Sequence, residues 1–248
     1  MSALALATLD LSEYAAGLNA RLRSRPTLDV LRTAIRELFP GEIALVSSFG
    51  AESAVLLHLV AQVDPATPVL FLDTGKLFSE TLSYRDELAA RLGLSQVRVL
   101  TPDPKTLAAN DAGGTLWFRD ADACCRIRKV EPLQRGLKPY AAWINGRKQF
   151  QAATRRDLPL VESDGVRIKF NPLAQWTPEM IAAYFAAHDL PRHPLVAKGY
   201  LSIGCEPCTL PVAEDEDARA GRWQGQDKTE CGIHTVIAPF PTRTRADD

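Results

Sequence analysis

The chain has 248 residues, 46% of them hydrophobic and 24% charged, and 29 Lys and Arg against 30 Asp and Glu leave a formal net charge of -1. That length and make-up suit one α/β domain with a full core, or two small ones, and the near-neutral charge argues against a nucleic-acid partner while leaving room for local basic clusters. No apolar run approaches the ~20 residues that span a bilayer. The opening MSALALATLDLSEY has no basic n-region and meets Asp10 and Glu13 early, so it does not read as a secretory signal. A cytoplasmic, reducing compartment is therefore expected, with no membrane partner. There, five cysteines read as metal ligands or reactive thiols before disulfides.

In chain order, residues 1–26 suggest a short helix and a loose lead-in. Thr27 is expected to cap a helix over 28–39, with Leu28, Leu31, Ile35 and Leu38 on one face and Pro40-Gly41 as the stop. IALVS (43–47) reads as a buried strand, Ser48-Phe49-Gly50 as a turn, and Glu52 as the opening of a helix over 53–62. A second strand covers 69–72 and ends in Asp73-Thr74-Gly75; a helix over 79–92 and a third strand over 96–100 follow. Residues 104–118 read as helix and loop, 121–134 as a helix bearing Cys124 and Cys125, and 141–145 as another central strand that runs into the basic loop GRKQFQAATRR. A β-excursion around Asp164-Gly165 and a helix from Thr177 and Pro178 to 188 precede a loop-rich end with a polar tail from 212. Short apolar strands alternating with helices predict a Rossmann-like parallel sheet covered on both faces. Ligands bind beyond the carboxyl ends of such strands, the edge that carries SSFGAES (47–53) and LDTG (72–75).

Four motifs could carry chemistry. SSFGAES offers backbone N–H groups and the hydroxyls of Ser47, Ser48 and Ser53 to a phosphate at a helix N-terminus, or is merely a tight turn; it lacks the Lys of a Walker A loop. LDTG taken alone is an ordinary strand-ending turn. Cys124-Cys125 and Cys205-x-x-Cys208 make a complete ligand set. Adjacent ligands suit a cuboidal [4Fe-4S] cluster, in which each cysteine takes a different iron, better than zinc or unligated thiols. Arg126, Arg128 and Lys129 beside the first pair fit an anionic cluster. Cys231, in a polar tail with Glu230, Gly232 and His234, is either incidental or a reactive thiol that nearby cations would activate.

Together, SSFGAES, LDTG, CCRIRKVEPL, GCEPCT, RAGRW and ECGIH closely resemble, in order and over roughly residues 42–235, the assimilatory adenylyl-sulfate (APS) reductases, the iron–sulfur branch of the APS/PAPS reductase family. The resemblance implies an adenine nucleotide alpha-hydrolase-like fold and thioredoxin-dependent reduction of APS to sulfite and AMP through an S-sulfocysteine. It implies a [4Fe-4S] cluster on Cys124, Cys125, Cys205 and Cys208, Cys231 as the catalytic cysteine, and His234 and Lys129 as its catalytic companions. Arg219 and Arg222 match the pair facing the phosphosulfate. Ser47, Ser48, Phe49, Gly50, Glu52 and Ser53 match the nucleotide loop, and Leu72, Asp73, Thr74 and Gly75 the adenosine-side turn. The family's G-x-R-R-D-Q-like loop is replaced by Gly146-Arg147-Lys148-Gln149-Phe150-Gln151, so Arg147 or Lys148 fills its arginine position, with Arg155 following. The implied organisation is a helical lead-in over 1–41, a reductase domain with the iron–sulfur site over 42–211, and a flexible tail over 212–248 carrying Cys231. No thioredoxin-like segment follows ECGIH, so an external dithiol, thioredoxin or similar, is expected; a homo-oligomer is compatible with the sequence. The competing readings are PAPS reductase, an ATP pyrophosphatase-type adenylating enzyme, for which SSFGAES lacks the S-G-G-x-D-S pattern, and an iron–sulfur sensor or carrier, which gives Cys231 no role.

Overall fold

The computed structural model describes residues 10–213 and 216–234. The expected lead-in before Asp10 and the tail after His234 lie outside these residues. Asp10 accepts hydrogen bonds from the backbone N–H groups of Ser12 and Glu13 and so starts helix α1, Leu11–Leu22. Its buried stripe, Ala15, Leu18 and Leu22, repeats at helical spacing. Helix α2, Thr27–Arg32, continues into a π-helical turn, Thr33–Leu38. Thr27 is not its cap. The hydroxyl accepts from the indole N–H of Trp176 at 2.9 Å instead, so a tertiary contact takes the group that the local pattern assigned to the helix end.

The expected alternation follows: β1 (Ile43–Ser47), α3 (Ser53–Val63), β2 (Val69–Leu72), α4 (Ser79–Arg91) and β3 (Val97–Leu100). Residues 104–118 form α5 (Pro104–Asn110) and the start of α6 (Leu116–Arg119). The cysteine-bearing segment is α7 (Ala121–Cys125), a π-helical turn (Arg126–Val130) and α8 (Glu131–Leu137), run together. Pro132 has no N–H to offer the Arg128 carbonyl, and the Glu131 N–H reaches five residues back to Arg126, so the helix widens where its basic residues lie. Then come β4 (Ala142–Ile144), the hairpin β5 (Val161–Ser163) and β6 (Ile168–Phe170) around Asp164-Gly165, and α9 (Pro178–Ala187), capped by Thr177 as expected.

The six strands lie in the order β3-β2-β1-β4-β6-β5, all parallel except β5, which runs antiparallel to β6. The sheet is buried on both faces. Leu45, Phe71, Ile144 and Phe170 pack under α1 to α4 and α9, while Ala44, Val46, Leu70 and Trp143 pack under Leu133 and Leu137 of α8. The outer edge of β5 is covered by α1, whose Asn19 side chain accepts the Val161 N–H. From β1 the chain winds one way to β2 and β3, and β4 lies on the other side. The switch point falls between β1 and β4, where a crevice opens at the carboxyl ends.

Asp164 fixes the turn between β5 and β6, at the amino end of β6. It is buried, accepts the Trp143 indole N–H at 2.8 Å, and accepts the backbone N–H groups of Val166 and Arg167 at 3.0 and 2.7 Å. Asp164→Ala strands three donors and is expected to cost about 3 kcal/mol of unfolding free energy. Asp164→Asn, which keeps one acceptor oxygen, should cost visibly less. Chemical denaturation of the two variants measures the difference.

Candidate functional site

A cleft of about 250 Å³ opens at the switch point. Ser47 at the end of β1 and Asn145 just after β4 form its floor, and Ser48, Gly50, Glu52 and Ser53 form one rim. The Ser47 hydroxyl accepts the Phe49 N–H at 3.2 Å, which folds the loop back on itself. Phe49 does not line the cleft. It takes a positive φ of 48° and turns its ring into the core, edge-on to Phe71 at 5.4 Å, so the apolar residue of the loop anchors the loop. Gly50 lies where a Cβ would stand 3.3 Å from the Ile203 carbonyl, so the loop packs directly on the segment before Cys205.

The basic loop after β4 forms the second rim. Asn145 donates to Asn171 and to the Phe170 carbonyl and accepts from the Arg147 backbone N–H, which sets the loop's exit. Arg147 pairs with Glu162. Lys148 is buried, 2.9 Å from Glu52, which also accepts from Gln151 at 3.0 Å. Burial lowers the Lys148 pKa, and Glu52 opposes that shift. Both candidates for the arginine position therefore line the cleft, and each already has a carboxylate partner.

Cys124, Cys125, Cys205 and Cys208 line one small cavity with Lys76, Trp117, Arg128 and Lys129. LDTG divides its duties. Leu72 and Thr74 line the main cleft, and Asp73 and Gly75 do not. The Asp73 carboxylate accepts the Gly75 N–H, closing the turn, while the Thr74 hydroxyl lies 3.2 Å from Cys205 Sγ. Arg128 donates to the Thr74 carbonyl at 2.7 Å and to the buried Asp111 carboxylate at 2.6 Å. Burial pushes the Cys124 and Cys125 thiols up to about 11, with Cys125 adding repulsion at Cys124 and Lys129 opposing the shift at Cys125. Burial would raise Cys205 too, but Lys129 and the Thr74 hydroxyl hold it below its ordinary value. Among the described residues no three His, Cys, Asp or Glu side chains converge closely enough for a single metal ion.

Lys129 and Cys205 line both cavities and form the partition between them. Burial would lower the Lys129 pKa, but the thiolates of Cys205, Cys231 and Cys125 carry it above the ordinary lysine value. The helix from α7 to α8 thus delivers one cation to the point where the cavity of three buried thiols and the half-buried Cys208 meets the cleft.

The tail closes the third side. Leu210 and Gly221 pair through their backbones, and Trp223, with a φ of 50°, is buried with Arg219, Arg222 and Lys228 facing its ring. Arg222 lies against Gly204, where any Cβ would run into the guanidinium, and donates to the Cys208 carbonyl at 3.3 Å. Glu230 is gripped by Arg155 through two hydrogen bonds of 2.7 and 2.8 Å and approached by Arg219 at 3.4 Å. Burial would raise the Glu230 pKa; the Arg155 hydrogen bonds and charge hold it below the ordinary range. Cys231 follows, half-buried and free, lining the cleft with Ile233 and His234. The His234 ring stacks on Trp143 at 5.6 Å and 3°. Burial, with Arg147 and Lys169 nearby, takes its pKa well below 6.5, so the imidazole is neutral.

The structure thus brings Ser47, Ser48, Gly50, Glu52, Ser53, Leu72, Thr74, Lys129, Gly146, Arg147, Lys148, Arg155, Cys205, Arg219, Arg222, Cys231 and His234 to one cleft, with Cys124, Cys125 and Cys208 behind the partition. Phe49, Asp73 and Gly75 support it from outside the lining. Trp143, Gln151, Glu162, Lys169 and Glu230 also belong to the assembly and were not singled out as site residues from the sequence. Glu230 could have been, since a carboxylate next to a candidate nucleophile invites the question of its partner.

Residues 42–211 match the phosphoadenosine phosphosulfate reductase domain. The chain belongs to the phosphoadenosine phosphosulfate reductase family. The adenosine 5'-phosphosulfate reductase of Mesorhizobium japonicum is 56% identical over 220 residues, 89% of this chain and 87% of that relative. The enzyme of the same name from Streptomyces coelicolor is 41% identical, over 92% of this chain and 96% of its own. A Gloeobacter violaceus relative named phosphoadenosine 5'-phosphosulfate reductase is 45% identical, over 83% and 87%. Among solved structures, the phosphoadenylyl-sulfate reductase of Candida auris in a phosphate complex superposes with a TM-score of 0.70 at 28% identity, covering 82% of this chain and 99% of that one. The FMN adenylyltransferase of Candida glabrata shares the fold, with a TM-score of 0.53 at 16% identity over 89% and 84%.

Arg128 gives a direct test of the cleft's frame. Arg128→Met leaves the Asp111 carboxylate buried without its cation and is expected to cost about 3–5 kcal/mol. Burial would raise the Asp111 pKa, but Arg128 and the Leu116 N–H hold it below 3.8. Its contribution is therefore complete above that value and is lost as the pH falls through the depressed folded value. Denaturation midpoints measured from pH 7 downward should fall more steeply in the wild type than in R128M.

Proposed function

We propose that the protein reduces adenosine 5'-phosphosulfate to sulfite and AMP, with Cys231 as the nucleophile and an external dithiol as reductant. The single observation that carries this reading is the position of Cys231 on a cleft lined by Lys129, Arg147, Lys148, Arg155, Arg219 and Arg222 against only Glu52 and Glu230. Six cations against these two carboxylates and Glu162, which pairs with Arg147 from behind the lining, still call for a ligand with several negative charges, and the half-buried thiol on that wall calls for group transfer. Identities of 41% to 59% with relatives named adenosine 5'-phosphosulfate reductase favour that substrate, and the phosphoadenosine-named relative at 45% keeps its 3'-phosphorylated analogue as the comparison.

The adenosine 5'-phosphate end lies on the rim formed by Ser47–Ser53 and α3, whose N-terminal N–H groups favour an anion. The sulfonyl end lies toward Lys129, Arg219 and Cys231. The Cys231 thiolate attacks sulfur, the bond from sulfur to the phosphate oxygen breaks, and its electron pair leaves on AMP. Lys129, Arg219 and Arg222 stabilise the charge that builds on the phosphate and persists on the sulfonate. The S-sulfocysteine is then attacked at Cys231 Sγ by a thiolate of thioredoxin or a similar dithiol. Sulfite leaves with the electron pair of the S–S bond, and the second thiol of the reductant displaces the mixed disulfide and restores Cys231. The first step needs the tail closed against water and the second needs Cys231 open to a protein partner, so the segment that carries it moves between the two. His234, neutral in the closed arrangement, holds the tail rather than contributing charge.

The thiol cavity fits a [4Fe-4S] cluster better than a single ion: four largely buried thiols share one space, yet among the described residues no three of these ligand types converge on one point. Cys124, Cys125, Cys205 and Cys208 would hold it. Bound there, the cluster supplies a cross-link between α7 and the 205–208 turn and a fixed charge behind Lys129. In this reading residues 42–211 form the reductase domain, the preceding helices complete its core, and the protein works in the cytoplasm, where thiol reductants are available.

Anaerobically purified protein is expected to release AMP once per chain from adenosine 5'-phosphosulfate without a thiol, and to release sulfite continuously once thioredoxin is added. Cys231→Ser should abolish both. The 3'-phosphorylated analogue should turn over more slowly in parallel assays. Sulfite release by Cys231→Ser at the wild-type rate would refute the proposal. Iron and sulfide should fall together in Cys205→Ser.

A further inference from the structure

The sheet carries a row of side chains that the proposed chemistry does not use. Trp143 on β4 is in register with Lys169 on β6, and Lys169 is in register with Glu162 on β5. The three therefore stand side by side on one face. Lys169 is a charged residue only 1% exposed, in a strand whose other members are core. Its ammonium lies 4.9 Å from the Trp143 ring centre and 3.2 Å from Glu162. Glu162 has other partners, Arg147 and Asn171, so it does not require Lys169 for its own neutralisation. A buried lysine that a sheet does not need demands another reason.

That reason lies in the tail. Lys169 Nζ donates to the His234 carbonyl at 3.3 Å, while the His234 ring lies flat on Trp143. Ile233 packs into the apolar cluster that Trp143 shares with Leu133, Leu137 and Tyr140. Lys169 and Trp143 are absent from the cleft lining, so neither has access to a bound nucleotide. Cys231 lies between this seat and the Glu230–Arg155 ion pair, held from both sides in sequence.

We infer that Lys169 and Trp143 are positioning residues that seat Ile233 and His234 on the sheet and thereby hold Cys231 in the cleft. The inference rests on the proposed role of Cys231. It adds that the closed position is fixed by two grips, one ionic at Glu230 and one at the sheet, and that the second is built from residues with no contact to the substrate. Burial, with Arg147 adding to it, lowers the Lys169 pKa to about 8, the behaviour of an ammonium kept dry by what covers it.

The test uses the full chain and Lys169→Met, which keeps the length of the side chain. Three quantities are read: the rate of Cys231 alkylation by iodoacetamide, hydrogen exchange of the 228–234 segment against that of β1 and β4, and the affinity for AMP. Losing a charged hydrogen bond should free the tail enough to raise alkylation about tenfold. Exchange of 228–234 should rise with it, while β1, β4 and the AMP affinity stay at the wild-type values. Single-turnover AMP release should fall by a similar factor. Wild-type alkylation and tail exchange in a folded Lys169→Met protein would overturn the inference, as would a loss of AMP affinity with the tail unchanged. If β1 and β4 also exchange faster, Ile233→Ala decides: it leaves every sheet residue in place and removes the tail's apolar contact with the Trp143 cluster, and a several-fold rise in alkylation is expected against none if the seat is wrong. A wild-type protein that forms no adduct refutes the role of Cys231 and leaves the alkylation result standing.

Discussion

One ion pair organises the mouth of the cleft. Arg155 meets the Glu230 carboxylate through two parallel hydrogen bonds, from a guanidinium that is itself only 8% exposed. Such a fork restricts direction as well as distance, which a lysine would not do. Arg155 also donates to Gln151, whose amide donates to Glu52 on the β1–α3 loop. The rim after β1, the basic loop and the tail that carries Cys231 are therefore joined by one continuous chain of hydrogen bonds. Breaking it at Glu230 would leave Arg155 buried without its counter-charge, so the closed tail is favoured by more than the contacts of Cys231 itself.

The second constraint is the partition. Lys129 must face the cleft while its neighbours Cys124 and Cys125 face the thiol cavity. The widened turn begins directly after Cys125 and itself carries Lys129, and Pro132 removes the hydrogen bond that would have kept the helix regular. On the other wall Cys205 is held by Thr74, and Gly204 makes room for Arg222. The thiol cavity thus sets the positions of two of the cations, Lys129 and Arg222, that the proposed transfer step uses. Its residues act as a frame beside the cleft that Cys231 lines.

The sequence made β1 and β2 legible to the residue, because both are short continuous apolar runs buried on two faces and bounded by turn residues. The hairpin around Asp164-Gly165 and the Thr177 cap were readable from turn and cap chemistry alone. Helix 121–134 was visible as a helix, but its π-helical turn was not, since periodicity does not report where a helix widens. Thr27 failed as a cap because Trp176, far along the chain, claims its hydroxyl. Phe49 and LDTG show a similar limit. A motif tells which segment reaches an edge and not which of its side chains face the ligand, so Phe49 points inward and Thr74 turns to Cys205. Trp143, Lys169 and Glu162 were invisible because their meeting depends on strand register between segments with no local signal of pairing.

In the proposed reaction the sulfonyl group passes to Cys231 and to no other thiol. The most direct measurement is mass spectrometry of the peptides formed from enzyme mixed with adenosine 5'-phosphosulfate in the absence of any dithiol. One added SO3 group per chain is expected, on the peptide carrying Cys231, removed as sulfite when thioredoxin is supplied. An added group on Cys124, Cys125, Cys205 or Cys208, or AMP released with no group added to the protein, would contradict it.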